Sequence, residues 1–380
     1  MAWYGILGLL LIAVILWDVF ETIILPRRVT RRFRVARMFY RWTWRPWRFV
    51  ACLLRRRKNL RENFLSYYGP LSLLGLFVVW AVGLVFGFAI LHYSAGSGIN
   101  LAPGQHPGFR SDLYMSGSTF FTLGIVVPST GSARVITVFE AGLGIGFLAI
   151  VISYLPVLYG AFSLREVNIS LLDARAGSPP SASEMLRRTA QRQNPQAFEQ
   201  NLQEWEKWSA ELMESHLSYP VLCYFRSQHD NQSWLAALVT VLDVSALLIA
   251  YGQGTLKWQA KLTFAISRHA LVDLSQVLSA PPRDFEDERL PPAGLQELRK
   301  ILIGAQLSDC CPEEDQHLAQ LRRMYEPYAY ALSERLLMPV GKWAPEAKVV
   351  DNWKTSAWAR ISSVELDASP FGASEEIKHF

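Results

Sequence analysis

The residues best suited to chemistry lie in one short stretch, Thr119-Phe120-Phe121-Thr122-Leu123-Gly124-Ile125-Val126-Val127-Pro128. A threonine hydroxyl and a run of backbone carbonyls are oxygen ligands that can replace the hydration shell of a cation. The chemistry is therefore coordination of a cation rather than making or breaking bonds. Thr122, Leu123, Gly124, Ile125 and Val126 are the candidate ion-binding residues, with Thr119 and Glu140 as support. No Ser/His/Asp set, carboxylate pair or phosphate-binding glycine loop stands out, so no enzyme is expected. Cys310, Cys311 and His317 are the only hint of a metal site. Their spacing fits no zinc pattern, and no metal or cofactor is expected.

The elements around this stretch are unusually apolar. The 380 residues are 51% hydrophobic and 19% charged, and the apolar ones concentrate before position 165. Residues 2–25, 68–94 and 133–164 are each long enough to cross a bilayer. Between the second and third, residues 109–121 read as a short helix entering the membrane and returning through the Thr122 loop, with Ser111 or Asp112 as its cap. Irregular backbone at membrane depth is tolerated only where protein buries it or a water-filled path accepts it. The negative end of that short helix favours a cation at the loop.

Within residues 133–164, Gly142, Gly144, Gly146 and Pro156 are candidate hinge positions. The three glycines superficially match a dinucleotide loop, but they sit in an apolar helix with no strand before it. Close helix packing or a hinge explains them better. Glu140 is expected to touch the back of the Thr122 loop or the short helix.

The net charge of +5 hides a cluster: residues 26–62 carry 14 Arg/Lys and one acid, Glu62. Next to an apolar helix this cluster fits anionic lipid of the cytoplasmic leaflet, not nucleic acid. Arg28, Arg31, Arg34 and Arg37 recur at every third position and are expected to face lipid from an amphipathic helix on the membrane surface. Trp42, Trp44 and Trp47 suit a headgroup-level aromatic belt. Asp18 and Glu21 share a face near the end of the first helix, and pairing with Arg27, Arg28 or a neighbour is expected. The arginines place that end inside, so the chain is read as a multi-pass protein of the cell (inner) membrane with its N-terminus outside and its tail cytoplasmic.

From Arg165 the chain becomes polar. Ser181 to Glu184 matches a capping box, and Asn194-Pro195 opens a helix whose Phe198, Leu202, Trp205 and Leu212 share a face. Residues 256–279, 293–308 and 314–338 continue as amphipathic helices. Residues 234–251 are just long enough to span, yet Asp243 sits in their middle, which favours a buried helix in a soluble bundle. The expected domains are 1–25, 26–65, 66–165 and 166–380. The fold class is all-α: a membrane module with a helical cytosolic tail, which would take a ligand or protein partner of its own.

The central stretch and its flanking helices resemble the potassium-channel pore module, whose core reads Thr-x-x-Thr-x-Gly-Tyr-Gly-Asp. Thr119, Thr122 and Gly124 match, Leu123 stands where Val or Ile is usual, and Ile125 where an aromatic is common. The resemblance covers roughly residues 66–165. It implies an outer helix, pore helix, filter loop and inner helix, four copies around one axis, and cation passage. The second glycine and the aspartate are missing, and Val126 and Val127 stand in their region. Potassium selectivity is therefore not part of what the resemblance implies. A non-conducting or mechanosensitive scaffold that signals through its tail is the alternative.

Overall fold

The computed structural model describes residues 2–25, 34–99, 108–190, 195–229, 231–284, 288–304 and 312–344. Arg28, Arg31, Cys310 and Cys311 lie outside them. All regular elements among the described residues are helical. Four stretches, Trp3–Ile24, Lys58–Ser94, Gly131–Ala176 and Trp234–Tyr251, are long and apolar enough to cross a membrane, consistent with an all-α membrane protein. The chain divides into two compact units, Met1–Gly160 and Ala161–Phe380.

The first unit begins with α1 (Ala2–Val19), which ends in a π-helical turn, Phe20–Ile24. Then come α2 (Val35–Leu53), α3 (Lys58–Ser66), α4 (Tyr68–Ser94), α5 (Phe109–Phe120) and the start of α6 (Gly131–Ala176). Helix α1 packs along α4, and α4 packs on α5. Gly8 and Gly87 bring the first pair close: a Cβ on Gly8 would stand 2.8 Å from the Gly87 carbonyl oxygen. Small residues serve this role in membrane helix packing.

Helix α2 bears out an amphipathic basic segment only in part. Trp42 is open, but Trp44 is buried against Tyr68, and Trp47 stacks on Phe64 at 4.4 Å. Two of the three expected belt tryptophans therefore pin α2 to α3 and α4. Arg34 also departs from the expected lipid-facing row. It donates to Thr22 Oγ1 at 2.9 Å and lies 3.6 Å from Glu21. Arg37 is only half-buried within α2.

The second unit comprises the end of α6 with α7 (Ala182–Ala190), α8 (Pro195–Ser218), α9 (Trp234–Tyr251), α10 (Gly254–Val277), α11 (Pro292–Gly304), α12 (Pro312–Arg323) and α13 (Glu326–Leu336). All of α9 is buried, beneath α7, α10, α12 and α13. Ser233 caps it by accepting from the Ala236 amide. Phe198, Leu202, Trp205 and Leu212 of α8 are buried as one face.

Two boundaries differ from expectation. Helix α6 does not stop near position 164 but runs on to Ala176. The expected helix over 314–338 is two, because the chain turns at Met324 and Tyr325 and sends the Tyr325 ring into the core. The capping box at Ser181 is half formed. Ser181 Oγ accepts from the Glu184 amide, but the Glu184 carboxylate binds Arg187 and Arg188 instead of reaching back.

Candidate functional site

Helix α5 ends at Phe120, and the loop after it folds back onto that end. The amides of Leu123 and Gly124 donate to the Ser118 carbonyl at 2.7 and 3.4 Å, and the Ile125 amide donates to Ser118 Oγ at 3.2 Å. The Thr122 amide donates to the Thr119 carbonyl at 3.0 Å. Successive N–H groups thus converge on one turn of α5. No described residue donates to the carbonyls of Thr122, Leu123, Gly124 or Ile125, and all four residues are exposed. A row of unused carbonyl oxygens is an arrangement that can coordinate a cation.

The backbone angles produce this arrangement. Thr122 has φ +60° and Gly124 has φ +63°, while Leu123 between them does not enter the left-handed region. Glycine takes that region freely. A β-branched residue does not, and holding Thr122 there costs about 1–3 kcal/mol, of the kind stored at functional sites. Beyond the loop, Pro128 pairs with Ile99, and the Ser129 amide donates to the Gly98 carbonyl at 2.8 Å. The segment of Val126 and Val127 is therefore tied to the chain that follows α4. The side chains of Leu123, Ile125 and Val127 remain exposed.

Behind α5 lies a buried polar cluster. Glu140 of α6 is fully buried; its carboxylate meets Ser116 Oγ and stands 3.1 Å from His92 Nε2 of α4. Ser116 Oγ also lies 2.8 Å from the Val85 carbonyl oxygen. Three helices are thereby joined through one carboxyl group. Of the two expected contacts for Glu140, the back of the Thr122 loop or α5, the structure shows the one to α5; its link to His92 is not legible in sequence, because 48 residues separate the two. Thr119 is buried beside this cluster.

Neither expected residue caps α5. Its N-cap is Gly108, with no side-chain bond, and Asp112 instead accepts from Ser97 Oγ at 2.6 Å. That bond ties the start of α5 to the end of α4.

The glycines of α6 separate by role. A Cβ on Gly144 would lie 2.2 Å from the Phe120 carbonyl oxygen, so this glycine lets α6 meet the end of α5. Gly142 and Gly146 have open space at that position. Pro156 sits inside α6, which continues through it. Only 11% of the apolar window of α6 is buried. Val138, Ile145, Ile152 and Tyr159 recur every seven residues and are all exposed.

One buried polar arrangement escaped sequence reasoning. Where the apolar run ends, Arg165 is buried and donates to His216 Nε2 and to the carbonyls of Leu222 and Phe225. Glu166 pairs with it and accepts from Ser227 and Gln228. The adjacent charges after Leu164 were the only signal. Burial, and then the Arg165 charge, holds the His216 imidazole well below its ordinary value, so it is neutral and accepts at Nε2.

No group of three or more His, Cys, Asp or Glu among the described residues is placed to hold a metal ion. Compared with known protein families, curated proteins and solved structures, the chain matches none.

Proposed function

We propose that this chain is one subunit of a homotetrameric cation channel resembling the potassium-channel superfamily, with a pore lined by the Thr122 to Val126 loop. The observation that carries the reading is the loop itself. The amides of Leu123, Gly124 and Ile125 are spent on Ser118, the carbonyls of Thr122 to Ile125 accept from no described residue, and the loop hangs from a short helix between two long apolar ones. One loop cannot surround an ion, and four copies about an axis close the ring. The open face of α6 supports the same assembly. An apolar helix with so little cover must meet lipid or other subunits.

In this reading α1, α4 and α6 span the inner membrane and α5 re-enters it. The N-terminus lies outside and the second unit is cytoplasmic. The permeant ion is monovalent, potassium or sodium, and selectivity is weak because Val126 and Val127 occupy the outer positions. Pro156 removes a backbone donor from α6 and marks where that helix can bend to narrow the path.

The test is recording from the purified full chain in planar bilayers. Monovalent cation current is expected. Val126→Gly together with Val127→Asp should move the reversal potential toward that of potassium. Current in both forms with no such movement would count against the filter assignment.

A second reading, a non-conducting or tension-gated scaffold, draws on the exposed apolar side chains of Leu123, Ile125 and Val127 at the loop. An intact tetramer without flux under voltage or membrane tension would favour the non-conducting form. Flux under tension alone would favour the tension-gated one.

A further inference from the structure

Glu140 is one member of a set of three buried titratable groups behind α5. His92 of α4 is 1% exposed, and Asp112 of α5 and Glu140 of α6 are fully buried. His92 Nε2 stands 3.1 Å from Glu140 Oε2, and the charge of His92 also acts on Asp112. The other elements around α4 bring little charge to this end. Arg110 of α5 and Arg134 of α6 are exposed. Tyr4 of α1 packs on the Tyr93 ring. The only charged side chain of α1, Asp18, meets Trp80, twelve residues and about 18 Å along α4. Helices α2 and α3 meet α4 at its Tyr68 end.

The set is short of donors. With Glu140 ionised, His92 donates from Nε2, and a neutral imidazole then has no hydrogen on Nδ1. Nδ1 is buried without a hydrogen-bond partner, and so is Asp112 Oδ1. The other Asp112 oxygen, Oδ2, accepts from Ser97 Oγ at 2.6 Å. Two bare acceptors and two carboxylates about one imidazole form an arrangement that a proton on Nδ1 completes. It turns Nδ1 into a donor and sets a cation between Glu140 and Asp112. A proton needs no cavity, so closure of the site does not bar it. Histidine is the side chain whose charge ordinarily changes between about pH 5 and 8.

These groups hold the helix from which the Thr122 loop hangs. Asp112 ties the start of α5 to Ser97, and Ser116 ties its middle to Glu140. Its end meets α6 where Phe120 faces Gly144, one turn beyond Glu140. Ser116 is two residues from Ser118, the anchor of three loop amides. We propose that His92 is a proton-operated clamp on α5. Protonated, it draws the Asp112 and Glu140 carboxylates to one cation and holds the Thr122 loop in place. Neutral, it leaves two buried carboxylates without a cation, and α5 loosens. The clamp rests on the reading of that loop as a pore lining only for its effect on current.

The test follows hydrogen exchange of residues 109–125 in the purified full chain in lipid nanodiscs, corrected for intrinsic rates, beside current in planar bilayers, at about pH 5.5 and about pH 8. Protection should be about tenfold greater at the acid value, the size expected of a hydrogen bond to a charged group, and current should be larger there. His92→Gln keeps an N–H for Glu140 but takes up no proton, and should remove both responses. Asp112→Asn keeps an oxygen for Ser97 and removes one of the two carboxylate charges. It should cut the protection response to about a third, and it decides the matter if His92→Gln fails to fold. Equal protection at the two pH values in the wild-type chain, or an unchanged response in either folded variant, would overturn the proposal. Current that ignores pH while protection follows it would overturn the link to the pore. Protection that follows pH without current at any pH would sink the channel reading and leave the clamp standing.

Discussion

Helices α6 and α9 are alike in sequence terms and opposite in the fold. Both are long and apolar enough to cross a membrane, yet the apolar window of α9 is 100% buried by its own chain and that of α6 only 11%. Hydropathy states that a surface must leave water, not what will cover it. For α9 the cover is intramolecular: α7, α10, α12 and α13 enclose it. For α6 the described residues supply little cover, and in the proposed reading it comes from lipid or from further copies. The polar residues of the two helices follow the same division. Asp243 of α9 is held by Arg289 through two contacts, at 3.2 and 2.6 Å, and by the Tyr325 hydroxyl. Glu140 of α6 is held by neighbours on α4 and α5.

The largest expected effect is on the charge buried against α9. Burial alone would lower the Arg289 guanidinium, but the Asp243 carboxylate beside it raises it above its ordinary value and keeps the guanidinium charged. Arg289→Met leaves Asp243 buried and unpaired, which costs about 3–5 kcal/mol. Hydrogen exchange across residues 234–251 should accelerate strongly. Unchanged protection there would mean that α9 is held by something other than this unit.

A matched pair of truncations then separates the two helices directly. Leu247 of α9 is fully buried, and Leu247→Ala should lower stability by about 2–5 kcal/mol without affecting assembly. Ile145 of α6 is 59% exposed, and if α6 packs between copies as proposed, Ile145→Ala should leave the subunit folded while reducing the fraction of the proposed tetramer in native mass spectrometry. The same response from both variants would erase the distinction.

A smaller effect comes from pH. His216 in the unit that buries α9 has its folded-state value well below its ordinary 6.5. Below pH 6.5 the unfolded chain takes up a proton that the folded chain refuses. Stability is therefore complete above that value and falls as pH drops, by at most about 1.4 kcal/mol per pH unit. His216→Gln should flatten that slope between pH 6.5 and 5.5 in thermal unfolding followed by circular dichroism. An unaltered slope would place the proton uptake on another group.

Much of the fold was legible. The apolar runs, the short helix before Thr122 and the buried face of α8 followed from length and period. So did the choice of a buried helix over a span at 234–251, because a lone Asp243 is costly in lipid. The site was legible in position but not in mechanism. Thr119, Thr122, Gly124 and Glu140 stand out by type, yet the role of Ser118 as the anchor of three amides does not, since serine at that position resembles any other helical serine. Arg34, read as facing lipid, turns inward because Thr22 and Glu21 lie within its reach, a fact of the turn between two helices.

The sequence by itself determined helices with membrane-length apolar segments and a Thr/Gly-containing loop between two of them, because length, period and residue type are local properties. Tertiary structure alone decided which apolar helix its own chain covers, which carboxylate meets which donor, and where a donor or acceptor is left over. Those outcomes depend on the approach of segments far apart in the chain, as Asp18 and Trp80 or Asp243 and Arg289 are. No local pattern records that approach.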